Sequence, residues 1–144
     1  MKETDLELYR WKWHNTTLES RKKKYLGRGI LNYSNFWLEY GAFASIMPRL
    51  SGKTTMLLKM ASMLYKESED NVLFLTHSSY QKHYLEKIRN HPYTFCTNCN
   101  DNILIGKRFE DCHLMIDEFS RIYKFDLDKW LNHNWKSVTM VSSL

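Results

Sequence analysis

The sequence contains little that interrupts regular structure, with only 5 glycines and 2 prolines among 144 residues. No run approaches the roughly 20 apolar residues of a membrane-spanning helix, and residues 1–5 lack the apolar stretch of a secretory signal. The 3 cysteines are an odd number, which argues against a disulfide framework. These shortages argue against disordered, fibrous, disulfide-stapled and membrane-spanning classes of protein. They favour a cytoplasmic protein, or one of the host cytoplasm if a virus encodes it.

Hydrophobic and charged residues occur in the proportions of a globular domain, 43% and 26%. A chain of this size buries on the order of 68–70% of its extended surface on folding, so one core without a metal or disulfide staple is expected. The 21 lysines and arginines exceed the 16 acidic residues. The resulting net charge of +5 favours partners that carry phosphate, such as nucleic acid.

We expect residues 1–41 to form a helical N-terminal segment that packs on a core of residues 42–144, the whole being one domain. Thr4 and Glu7 have the spacing of a capping box that opens a helix. The apolar run 42–47 stops at Pro48, which predicts a buried strand.

Beyond that strand, helical and strand patterns alternate. Residues 54–66 have apolar side chains at helical spacing, Ser78 and Gln81 fit a second capping box, and a last helix is expected around 127–131. Compact apolar runs predict buried strands at 72–75, 103–105, 113–116 and 138–141. The alternation predicts an α/β fold with a mainly parallel sheet and helices on both faces.

A phosphate-binding loop is predicted at 48–55, between the first strand and the long helix. Backbone N–H groups at a helix N-terminus point at phosphate oxygens, a glycine permits close approach, a lysine reaches the β- and γ-phosphates, and a hydroxyl ligates magnesium. Met47 stands where the strict pattern GxxxxGK[ST] has its first glycine. The residues predicted to bind the nucleotide are Ser51, Gly52, Lys53, Thr54 and Thr55.

The other half of such a site is an apolar strand that ends in a carboxylate, and 114–118 supplies one. Asp117 is predicted to hold Mg²⁺ through a water molecule, with Thr54 as a second ligand, and Glu118 to polarise the attacking water. Two solvated acids at the end of a strand are the alternative interpretation. Together with the loop, the acidic pair predicts a minimal P-loop NTPase-like core that uses ATP and Mg²⁺.

The loop also resembles the variant Walker A motif of phage terminase large subunits, the motors that package DNA. The matching residues are Arg49-x-x-Gly52-Lys53-Thr54-Thr55. Three later segments are similar to terminase and helicase motifs in the same order, namely 74–77 to the second-strand motif, 106–119 to the Walker B segment and 138–143 to the strand with the coupling motif.

The resemblance implies an ATPase of the additional-strand, catalytic-glutamate kind that acts on DNA. It assigns γ-phosphate sensing to Arg49 and the role of catalytic base to Glu118, so the expected catalytic residues are Arg49, Lys53 and Glu118. By position, Ser142 and Ser143 would link hydrolysis to DNA movement.

The same residues are compatible with two other functions. Pro48-x-x-Ser51-Gly52-Lys53-Thr54-Thr55-x-Leu57 also resembles the phosphate loop of zinc-ribbon thymidine kinases, which implies a small nucleoside kinase. A non-catalytic assembly module that only binds nucleotide is the third candidate. An open site would need closing by a second copy or a partner protein, with Arg89, Arg108 or Arg121 acting in trans in an oligomer.

The cysteines allow a structural zinc site as a further hypothesis. Cys96-Thr97-Asn98-Cys99 has knuckle spacing, and Cys112, His113 or His91 could complete the ligand set, although a surface turn explains the same residues. Trp11 and Trp13, which alternate with Arg10 and Lys12, suggest base stacking with nucleic acid or, alternatively, core packing.

Overall fold

The computed structural model describes residues 3–26, 32–49, 51–68, 71–97, 104 and 109–143. In these residues, five strands form one parallel sheet, β1 (Phe43–Met47), β2 (Asn71–Thr76), β3 (Thr94–Thr97), β4 (Cys112–Asp117) and β5 (Ser137–Ser143). Their order across the sheet is β1-β5-β4-β2-β3. The predicted α/β class with a parallel sheet is therefore confirmed, and β5 lies between β1 and β4.

Within the described ranges, six α-helices pack on the two faces of the sheet: α1 (Glu3–Thr16), α2 (Leu18–Leu26), α3 (Tyr33–Phe36), α4 (Lys53–Ser68), α5 (Ser79–Ile88) and α6 (Lys124–Leu131). Apolar residues of α1, α4 and α5 share one core cluster with Met115 of β4. Those of α2, α3 and α6 share the other cluster with Leu114 and Ile116. Successive side chains of a strand point to opposite faces, so β4 contributes to both clusters.

A π-helical turn, Trp37–Gly41, joins α3 to β1 and passes close over aromatic rings. A Cβ atom on Gly41 would lie 2.5 Å from the Phe36 ring and 2.6 Å from the Trp37 ring. Only glycine fits there, because both rings are fully or almost fully buried in the core.

The described residues of the N-terminal segment form helices α1 to α3, and the first turn of α1 differs from the expected capping box. Helix α1 already includes Glu3 and Thr4, so Thr4 is not its N-cap. Instead Glu7 accepts hydrogen bonds from Arg10 of the same helix (2.7 Å) and from Ser45 of β1 (2.7 Å). Glu7 thus joins α1 to the sheet.

Strand β1 corrects the expectation of a strand buried on both faces. It forms the edge of the sheet, and its residues alternate between buried and exposed, with Ile46 57% exposed. A short apolar run cannot distinguish one-sided from two-sided burial, since that depends on which helices cover the sheet. The sequence also missed β3, and the strand expected at 103–105 lies outside the described residues except for Leu104.

None of the helices in the described parts of the chain is long and apolar enough to cross a membrane.

Candidate functional site

The carboxyl ends of all five parallel strands lie along one edge of the sheet, where α/β proteins bind their ligands. The predicted loop follows β1, the acidic pair lies at the end of β4, and Ser143 ends β5. The fold therefore brings the loop and the acidic pair, which are far apart in sequence, to the same edge.

Gly52 shapes the loop immediately before α4. Its φ is +83°, a conformation that glycine adopts without steric cost. The N–H of Met56 donates to the Gly52 carbonyl (2.9 Å), so the amides of the three residues between them have no partner within the helix. Ser51, just ahead, has a buried hydroxyl oxygen without a hydrogen-bond partner. Amides at a helix N-terminus and a spare hydroxyl suit an anion.

Lys53 is the first residue of α4 and reaches across to the end of β4. Its Nζ lies 2.5 Å from Glu118 Oε1, and both side chains are largely buried, at 17% and 10% exposed. Ser143 donates its hydroxyl to Glu118 Oε1 (2.9 Å) and its backbone N–H to Oε2 (3.2 Å). Ser142 donates to Oε2 at 3.4 Å. The last residues of β5 thus hold the Glu118 carboxylate in place.

These contacts keep Glu118 ionised. Burial pushes its pKa upward, but the hydrogen bonds from Lys53 and Ser143 outweigh burial and lower the pKa to about 2. A carboxylate with such a low pKa is a weak base as long as Lys53 contacts it.

The backbone of Glu118 is also unusual. Its φ of 53° and ψ of 51° lie in the left-handed region, and no other non-glycine residue of the described chain has a positive φ. The turn directs the chain from β4 into a short 3₁₀ helix, Phe119–Arg121. Left-handed backbone in a glutamate costs on the order of 1–2 kcal/mol, which the surrounding contacts must offset.

Asp117 is completely buried. Gln81 of α5 donates its side-chain amide to Asp117 Oδ2 (2.6 Å), whereas Oδ1 is buried without a partner. Burial raises the pKa of Asp117, and the hydrogen bond from Gln81 and the nearby charge of Lys53 oppose that rise. An unpaired buried acceptor costs about 1–3 kcal/mol, so this oxygen is a candidate ligand atom.

The residues fit Mg²⁺. Mg²⁺ prefers oxygen ligands, is bound through one or two carboxylates and keeps several waters. Asp117 offers an unpaired carboxylate oxygen, and the half-buried Thr54 supplies a hydroxyl in the first turn of α4.

The structure does not bring all of the other predicted residues to the site. Arg49 and Thr55 are exposed. Arg121, expected to act in trans, has its Nε 4.0 Å from Glu118 Oε2 of its own chain. Arg108 is outside the described residues, and Arg89 directly follows α5.

Gln81 is the residue of the site that the sequence did not assign. The predicted cap is partly present, since the Ser78 hydroxyl accepts from the Gln81 backbone N–H (3.2 Å). The Gln81 side chain contacts Asp117 rather than completing the capping box. The sequence marks Gln81 only by its position in the first turn of the helix after β2. A glutamine at that position is equally typical of a capping box, so it does not indicate a contact with Asp117.

The register of the sheet separates Cys96 from Cys112, two of the three cysteines in the candidate zinc set. Cys96 is opposite Leu75 of β2, and Cys112 is opposite Asn71 on the other side of that strand. Four residues along a strand span about 13 Å, so the two cysteines cannot share one tetrahedral ion in this arrangement. Cys99 lies outside the described residues, and in the described part no three His, Cys, Asp or Glu side chains converge on a metal position.

No protein-family model matches this chain, and no curated protein matches it. Sequence similarity therefore assigns no family, and function has to be inferred from the geometry of the site.

Proposed function

We propose that this chain binds ATP with Mg²⁺ and hydrolyses it, as a minimal P-loop ATPase that acts with nucleic acid. The observation that carries the proposal is the contact between Lys53, at the start of α4, and Glu118, next to the buried Asp117. One cation and two carboxylates in different environments meet beside a helix N-terminus, which is the set of groups that phosphoryl transfer needs.

In the proposed complex, the first amides of α4 and the Lys53 ammonium bind the β- and γ-phosphates. Asp117 and Thr54 hold Mg²⁺, which when bound neutralises charge on the phosphate oxygens. Arg49, exposed on the loop, is available to the γ-phosphate. The position of β5 between β1 and β4 supports the additional-strand class that the resemblance implies.

Glu118 becomes a useful base when Lys53 moves from it to phosphate. Loss of that hydrogen bond moves the pKa of Glu118 upward from about 2, while Ser143 keeps the carboxylate oriented. Glu118 then accepts a proton from water as the water oxygen bonds to the γ-phosphorus and the bond to the ADP oxygen breaks. The same carboxylate thus neutralises Lys53 before ATP binds and activates water afterwards.

Two features support a nucleic-acid context. The chain has a net charge of +5. In addition, Ser142 and Ser143, which occupy the position of the coupling motif in the terminase resemblance, contact Glu118 directly. A shift at the end of β5 would therefore change the orientation of the base.

The test compares two lysines of the same helix. Lys53→Ala should weaken binding of a fluorescent Mg²⁺-ATP analogue by about 100-fold or more, because it removes the cation that faces the phosphates. Lys59→Ala, at an exposed position of α4, should bind as the wild type does. Equal affinities for all three proteins would contradict the assignment.

Product analysis on the wild-type protein separates the candidate reactions. Phosphate released from ATP without an acceptor supports the ATPase, and stimulation by DNA supports the nucleic-acid context. Nucleoside monophosphate formed from an added nucleoside would instead identify a nucleoside kinase. Tight binding without turnover would identify an assembly module.

A further inference from the structure

Gln81 connects helix α5 to the acidic end of β4, and hydrogen bonds hold both its backbone and its side chain. The Gln81 backbone N–H donates to Ser78 Oγ (3.2 Å), which anchors the first turn of α5. The Gln81 side-chain Nε2 donates to Asp117 Oδ2 (2.6 Å). A glutamine held at both ends has little freedom to rotate, so it constrains the carboxylate that it contacts.

Because of this hydrogen bond, the two carboxylate oxygens of Asp117 differ in whether they have a hydrogen-bond partner. Oδ2 is occupied by Gln81, and Oδ1 is buried without a partner. Rotation of the carboxylate about its last bond would exchange the two oxygens, and the hydrogen bond opposes that rotation. One oxygen is therefore kept available for a ligand from outside the chain.

The chemistry of an amide suits this task. The amide donates a hydrogen bond without bringing a positive charge, so it does not offset the charge of the Asp117 carboxylate toward a cation. A lysine or arginine at the same place would neutralise the carboxylate and compete with a metal ion. A serine or threonine on α5 would be too short to replace it.

We propose that Gln81 is a positioning residue, which holds Asp117 so that its Oδ1 faces Mg²⁺. The inference rests on the proposed function, because it concerns the same magnesium site. It adds a residue of a different element, α5, to the machinery of that site. Metal affinity then depends on how α5 packs beside β4.

The experiment compares Gln81→Met, which keeps the length of the side chain and removes the donor, with Lys87→Met at an exposed position of the same helix. Binding of Mn²⁺ to the ADP complex is measured by electron paramagnetic resonance, and metal-free ADP binding by calorimetry. We expect Gln81→Met to weaken Mn²⁺ binding about tenfold, within the range seen when a partner of a metal ligand is removed. Metal-free ADP affinity should change less than twofold, and Lys87→Met should match the wild type in both measurements.

The dependence of turnover on Mg²⁺ provides a second readout. In Gln81→Met, the Mg²⁺ concentration for half-maximal rate should rise about tenfold, and the rate at saturating Mg²⁺ should approach that of the wild type. A general loss of folding would lower the maximal rate without shifting the metal dependence. Equal Mn²⁺ affinities in Gln81→Met and the wild type would overturn the positioning role and leave the ATPase proposal standing.

Wild-type protein gives a measurement that does not depend on how Gln81→Met folds. The side-chain amide of Gln81 is followed by ¹⁵N NMR and is expected to shift when Mg²⁺ is added to the ADP complex and to shift little with ADP alone. An amide that exchanges as fast as a free glutamine and ignores Mg²⁺ would overturn the inference. A wild-type protein that binds neither ADP nor Mn²⁺-ADP would instead show that the proposed function itself is wrong.

Discussion

Each end of strand β4 contains a buried titratable side chain, and the two side chains differ in their hydrogen-bond partners. His113 and Asp117 lie four residues apart on the same face of the strand, at 5% and 0% exposure. At the amino end, His113 Nδ1 shares a hydrogen bond with Ser137 Oγ of β5 (2.6 Å). At the carboxyl end, Asp117 has one paired and one unpaired oxygen and is followed by a second carboxylate. At the amino end, the fold supplies a hydrogen-bond partner for the buried side chain. At the carboxyl end, one buried carboxylate oxygen has no such partner.

The largest effect is expected for Glu118→Gln at the carboxyl end. Removing the proposed base should lower turnover by about 100-fold or more, the usual scale for a lost general base. Affinity for an ATP analogue should be kept or raised a few-fold, because the neutral amide competes less well with phosphate for Lys53. Single-turnover phosphate release and analogue titration measure the two effects. Phosphate release at the wild-type rate would mean that another group activates the water.

Asp117→Asn should have an intermediate effect that changes binding and stability in opposite directions. Metal-dependent nucleotide binding should weaken about tenfold, since an amide is a poorer Mg²⁺ ligand than a carboxylate. Because burial raises the pKa of Asp117, the folded chain binds this proton more tightly than the unfolded chain does. The ionised form therefore costs stability at neutral pH, and Asp117→Asn should raise the free energy of unfolding, on the order of 1 kcal/mol.

The pH dependence of the free energy of unfolding tests the prediction that Asp117→Asn stabilises the protein. Protonated Asp117 stabilises the folded wild-type protein, and this stabilisation is lost as pH rises through the raised pKa of the folded state. The difference in free energy of unfolding between Asp117→Asn and the wild type should therefore be largest at neutral pH. This difference should shrink as pH falls toward 3.8, the ordinary pKa of an aspartate, because Asp117 then becomes protonated in the folded and the unfolded wild-type protein alike. Urea unfolding at a series of pH values measures the difference. An advantage that grows on acidification would contradict the burial argument.

The smallest effect is expected at the amino end. Ser137→Ala removes the hydrogen bond to buried His113 and should lower the free energy of unfolding by about 1 kcal/mol, the usual net value of such a bond. It should leave nucleotide affinity and turnover unchanged, because Ser137 begins β5 and the site lies at the other end of the sheet. The exposed Ser79→Ala is the control for loss of a hydroxyl. A clear drop in the nucleotide affinity of Ser137→Ala would contradict the claim that the amino end of β4 contributes only to stability.

The sequence was most informative where structure is set by neighbouring residues. The amphipathic spacing that predicted α4 and the apolar runs that predicted β2, β4 and β5 are local patterns, and the structure confirms each. Lys53 and Glu118 could be nominated because each lies at the end of such an element. Their contact depends on strand order, which no local pattern specifies.

Contacts between elements could not be predicted from the same patterns. The Thr4–Glu7 and Ser78–Gln81 spacings both indicated capping boxes, yet Glu7 contacts Ser45 and Gln81 contacts Asp117. A long polar side chain near a helix start can satisfy its own helix or reach a neighbouring strand, and the packing of that helix decides which. Trp11 illustrates the same point, since it is buried and donates to Thr139, whereas Trp13 is 70% exposed.

The left-handed backbone at Glu118 has a consequence for how this sequence can change over generations. At a φ of 53°, glycine or asparagine would relieve conformational strain, so selection for folding alone favours replacing the glutamate. A lineage that no longer needs the carboxylate should drift to one of those two residues at this position. A lineage in which glutamate persists is one where the carboxylate outweighs the strain, so substitutions at this residue in related genes would report on the chemistry without any assay.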